Sequence, residues 1–144
     1  MENVELLRQI GIGASFGLSA LGSAIAMGIS GPSVIGSWKK CYVQNRPAPF
    51  ILAVFAGAAL SNIIYGFIIM GSLQGSILAG EALFAYGLGA GIAIGTVAVT
   101  QAMAAASAAD AYAETGKGFG NFLMVIGIAE TVALFAMVFT LISV

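Results

Sequence analysis

Gly127-Ile128-Ala129-Glu130-Thr131-Val132-Ala133-Leu134-Phe135 sets one carboxylate in the middle of the run from Phe119 to Val144, which holds no other charged residue. A helix needs about 20 predominantly apolar residues to cross a bilayer core, and this run is long enough. In hydrocarbon the backbone must satisfy its own polar groups, so the run reads as a membrane-spanning helix. No alternating pattern of the kind a membrane barrel needs is present. A carboxylate near the bilayer centre costs roughly 2.5 kcal/mol or more on insertion scales. Glu130 is therefore the residue to explain.

Outward from this stretch the same signal recurs. Apolar runs extend from about Ile10 to Ile35, Phe50 to Leu73 and Ala82 to Ala109, giving four spans with the last. Polar residues at 37–49, 74–81 and 110–118 connect them. The composition agrees: 60% of the 144 residues are hydrophobic and 8% are charged, against about 25% charged in soluble domains. The net charge of -1 comes without a basic run, which argues against nucleic acid as a partner. Histidine is absent and Cys41 is the one cysteine, so zinc sites, disulfides and Cys/His catalysis are not expected. The start, Met1 to Glu5, lacks a positive n-region, and the first run reads as a permanent span rather than a leader. Lys39, Lys40, Arg46 and Lys117 fall in the first and third connections. The positive-inside rule puts loops 37–49 and 110–118 in the cytoplasm and both termini outside. Trp38 and Tyr42 read as anchors at that boundary.

The chain also reads as a duplication. Gly11-Ile12-Gly13-Ala14 corresponds to Gly87-Leu88-Gly89-Ala90 at an offset of 76, and Tyr65-Gly66-Phe67-Ile68 to Phe135-Ala136-Met137-Val138 at an offset of 70. Residues 1–75 then form a first helical hairpin and residues 76–144 a second, which carries the glutamate. Small residues crowd the first and third spans, and aromatic bulk the second and fourth. Close approach follows small residues. This asymmetry predicts two layers, the first and third helices inside, closed by a ring of identical copies. The fold class is an all-α membrane protein of two duplicated antiparallel hairpins.

No Lys or Arg lies within any span, so Glu130 has no permanent structural base. It must keep its proton or bind a cation. Gln101 pairs with it by arithmetic: the midpoint between the two falls in the third connection. Antiparallel helices then hold both about 21 Å from the turn at 1.5 Å per residue. Ser61, Asn62 and Tyr65 lie near the middle of the second span. Tyr65 could donate its hydroxyl to Glu130, and oxygens of Ser61, Asn62 and Gln101 with the Glu130 carboxylate make a hard-oxygen cage. Such a cage suits a small hard cation such as Na⁺ rather than a transition metal. Thr131 is a further oxygen, though helix geometry turns it about 100° from Glu130. Each of these polar residues has a plainer reading as helix–helix hydrogen-bonding glue.

With its Gly-rich first and third helices, Tyr65-Gly66-Phe67 in the second and Glu130 in the fourth, the chain resembles the proteolipid (K or c) subunits of V-type and A-type rotary ATPases. The resemblance covers essentially the whole chain. It implies a rotor ring in which Glu130 carries the ion past a stator subunit bearing a cationic residue, an arginine in the family. It implies central-stalk subunits seated on the cytoplasmic loops, a prokaryotic cell membrane, and ATP chemistry in other subunits. In sodium-carrying relatives, residues at the places of Ser61, Asn62, Tyr65 and Gln101 complete the site. Leu60 stands where the first hairpin would carry its own carboxylate. Those relatives usually have glutamine where this chain has Asn62, so the cargo is Na⁺ or H⁺, and no organic cofactor is implied. A small exporter, whose acid lies in its first span, and a pore without ion coupling are the rival readings.

Overall fold

The computed structural model describes residues 2–144, and among them there is no strand. In chain order it has α1 (Glu2–Val43), a 3₁₀ turn (Phe50–Leu52), α2 (Ala53–Gly57), α3 (Ser61–Gly75), α4 (Gly80–Thr115) and α5 (Phe119–Leu141). Taken together, Phe50–Gly75 is the second of four helical stretches long and apolar enough to cross a membrane.

Two connections are shorter than the hydropathy suggests. Polar residues 37–43 continue α1 and residues 110–115 continue α4, leaving only 44–49 and 116–118 outside helix. The reason is length. At 1.5 Å per residue the 42 residues of α1 extend about 63 Å, roughly twice a hydrocarbon core. Beyond the core a helix no longer needs apolar side chains. Here it is tied by charge instead: Lys40 bonds to Asp110 at 3.3 Å and also to Glu114. Arg46 donates to the Ala113 carbonyl at 3.0 Å and the Glu114 carbonyl at 3.3 Å. These are last-turn carbonyls that lack helical donors, at the negative end of the helix dipole. Gly116 at φ 64° then closes α4 in the left-handed conformation that glycine adopts readily. Trp38, read from sequence as a boundary anchor, donates its indole N–H to the Pro49 carbonyl at 2.8 Å and so pins the returning chain.

The helices form two layers. α1 lies against α4, while α3 and α5 touch each other and flank that pair; α5 makes no contact with α1. The contact between α1 and α4 is backbone on backbone. A Cβ added at Gly22 would sit 2.3 Å from the Gly95 carbonyl oxygen and Cα. α3 is seated as closely, since a Cβ at Gly66 would lie 2.5 Å from the Ser19 Cβ. Toward the α4–α5 turn, Phe55 meets the rings of Phe119 and Phe122 at 5.5 and 6.5 Å, joining the second and fourth stretches.

The second stretch is not the single helix its hydropathy predicts. Residues 58–60 form a turn between α2 and α3. There the Leu60 N–H closes on Gly57 at 3.1 Å and the Ile63 N–H on Leu60 at 3.2 Å, each three residues back instead of four. This is the tighter 3₁₀ pattern. It falls immediately before Ser61 and Asn62.

Candidate functional site

Glu130 sits on α5, facing the second stretch. Its Oε1 accepts a 2.7 Å hydrogen bond from the Tyr65 hydroxyl on α3. Among the described residues the ion pairs are those of Lys40, and none involves Glu130. A hydrogen bond donated to an ionised carboxylate is charge-assisted and about twice as strong as a neutral one. Glu130 is half-buried, so one side of the acid is held by tyrosine and the other is open at the surface of the single chain.

A second polar pair joins Asn62, three residues before Tyr65 on α3, to Gln101 on α4. Asn62 and Gln101 are both fully buried at 0% exposure. The Asn62 amide nitrogen donates to Gln101 Oε1 at 2.9 Å and to the Ala59 carbonyl at 3.2 Å. That leaves the Asn62 oxygen, the Ser61 hydroxyl and the Gln101 amide nitrogen buried without a hydrogen-bond partner in the chain. Unmade hydrogen bonds of buried polar atoms cost about 1–3 kcal/mol each. Three together in one small region mark a place built for something besides packing. Gln101 Oε1 also keeps a second lone pair. The oxygens of Ser61, Asn62 and Gln101 are of the hard kind that suits a small hard cation, whereas the Gln101 amide nitrogen is a donor and would not ligate one.

The remaining residues singled out from sequence fall outside this cluster. Thr131 is exposed and turns its hydroxyl back to the Ile128 carbonyl at 2.6 Å. Leu60 is 49% exposed, an apolar side chain on the outer surface. Sequence reasoning passed over a serine ladder on α1. Ser15, Ser19, Ser23 and Ser30 are all buried, and Ser23 reaches across to the Ala59 carbonyl at 3.1 Å. The signal was present, since Ser15, Ser19 and Ser23 recur every fourth residue along one helix face.

Comparison with known proteins agrees with this architecture. Residues 79–143, the stretch holding Gln101 and Glu130, match the ATP synthase C-subunit family. The K subunit of the A-type ATP synthase of Methanocaldococcus jannaschii is 33% identical over 135 residues, which cover 92% of this chain and 59% of that relative. The chain thus spans about three fifths of the length of the relative it matches. The second half, which contains the buried glutamine and the lone acid, is thus similar to the ATP synthase C-subunit family, and nearly the whole sequence is similar to an A-type ATP synthase K subunit.

Proposed function

We propose that this chain is a rotor-ring subunit of an A/V-type ATPase, and that Glu130 carries Na⁺ while identical copies turn against a stator. The observation that supports it is the pairing of a tyrosine-held carboxylate with buried, unpartnered oxygens of Ser61 and Asn62. A carboxylate facing lipid must be neutral, because a bare charge in hydrocarbon is too costly. A bound Na⁺ neutralises it, and the amide and hydroxyl oxygens replace the ion's water. At the stator a cationic side chain competes for Glu130 and releases the ion into an aqueous half-channel. Tyr65 holds the acid oriented toward the second stretch between these events. ATP chemistry belongs to other subunits, and the ends that carry Lys39 and Lys117 face them on the cytoplasmic side.

A carbodiimide test decides the cargo. Carbodiimides attack protonated, accessible carboxyls, so Glu130 labels in purified protein and Na⁺ slows the labelling. Labelling that ignores Na⁺ and slows only as pH rises makes the cargo H⁺ with the rotor role retained. A Glu130 that never labels in the native assembly overturns the carrier role altogether.

A further inference from the structure

The turn at 58–60 has a cost in backbone hydrogen bonding, and α1 meets it. When the Leu60 and Ile63 N–H groups close three residues back, the carbonyls released are those four residues back, Ala56 and Ala59. Each accepts a serine hydroxyl from α1: Ser23 donates to Ala59 at 3.1 Å, and Ser30 shares its one hydrogen between Ala56 and Ala26 of its own helix, both at 3.1 Å. Ser23 is 1% exposed, so this bond is shielded from competing water.

The two serines have different neighbours. Ala56 accepts nothing from the site. Ala59 also accepts the Asn62 amide nitrogen at 3.2 Å, and that same nitrogen donates to Gln101 at 2.9 Å. One carbonyl thus joins Ser23 to the asparagine. With both amide hydrogens engaged, Asn62 cannot turn over, and its Oδ1 stays as the buried oxygen without a partner.

We propose that Ser23 is a positioning residue for the cation site, holding the Ala59 carbonyl so that it in turn fixes the Asn62 amide with its oxygen presented to the ion. This rests on the sodium reading above. The serine touches no ion. It sets which atom of Asn62 is available and keeps the turn that brings Ser61 and Asn62 to the depth of Gln101. Ser30 supports the same turn from the far side without reaching an ion ligand.

The pair of serines supplies the test. The full chain is purified with Ser23→Ala, Ser23→Thr, Ser23→Cys or Ser30→Ala. For each, the Na⁺ concentration that halves the rate of carbodiimide labelling at Glu130 is measured beside the melting temperature in detergent. Loss of one neutral hydrogen bond corresponds to about a fivefold change in an equilibrium constant. Ser23→Ala is expected to raise the half-protecting Na⁺ concentration about fivefold or more, and Ser23→Thr to restore it to within about twofold of the unaltered chain. Ser30→Ala lowers the melting temperature comparably and leaves Na⁺ protection within that twofold band. Should Ser23→Ala fail to fold, Ser23→Cys, of similar size but a weak donor, still raises the value. Equal shifts in Ser23→Ala and Ser30→Ala, or Na⁺ protection unchanged in the Ser23→Ala or Ser23→Cys protein, overturn the proposal while the sodium reading stands. An unaltered chain indifferent to Na⁺ overturns both.

Discussion

Glu130 and Tyr65 bond at 2.7 Å across two helices, and the strength of that bond sets how far the acid depends on its neighbour. Hydrogen bonds to charged groups contribute about 1.5–3 kcal/mol, or one to two powers of ten in affinity. Tyr65→Phe is therefore expected to raise the Na⁺ concentration needed to protect Glu130 by about tenfold or more while the fold persists. An unchanged value would show that the hydroxyl does not serve the ionised acid. Glu130→Gln removes the labelled group, and is expected to abolish carbodiimide labelling at that position. The acid and its companions were legible in the sequence because charge and amides are expensive in lipid, and depth follows from counting residues to a turn. Ser23 was not. A serine in a span reads as ordinary packing, and its partner is a backbone carbonyl made available by a turn elsewhere.

Among the helices, glycine distinguishes contacts that cannot widen from surfaces that can. A methyl at Gly22 would meet the Gly95 backbone at 2.3 Å, and backbone cannot move aside as a side chain can. Gly22→Ala is expected to force α1 from α4 and destabilise the chain by about 1–3 kcal/mol or more, read as a lower melting temperature in detergent. Gly13→Ala provides the contrast, because nothing lies within 4 Å of its added carbon; its melting temperature as a single chain should stay unchanged. Four long helices were legible from hydropathy, as was the crowding of small residues on the first and third. The turn at 58–60 was not, because Ala58, Ala59 and Leu60 suit an unbroken helix and no proline lies between Phe50 and Gly75. Helix ends were also misplaced, since hydropathy reports where lipid stops and not where hydrogen bonding stops.

The molecule as a whole leaves large apolar side chains outward along every span, Leu21, Ile25, Phe67, Ile128 and Phe135 among them, each more than 45% exposed. Lipid or further copies must cover them. In mild detergent the protein is expected to run as a discrete multiple of 14.5 kDa by native mass spectrometry; a uniform monomer would count against the ring. A single sequence exposes the faces that call for neighbours, but the angle between neighbours arises only when copies meet. Lys40 makes its ion pairs while about one third exposed, with partners more than half exposed, and such surface pairs contribute about 0–1 kcal/mol. Lys40→Ala should accordingly change the melting temperature little. The value of that end of the molecule lies elsewhere. α1 and α4 project past the core as a rigid post, cross-braced by Lys40 and clamped where Arg46 grips the last carbonyls of α4. A twisting load applied there meets two braced rods and only the three-residue turn 116–118 on the way to α5. Under the proposed rotor role, torque entering there would reach Glu130 with little of it dissipated in slack chain.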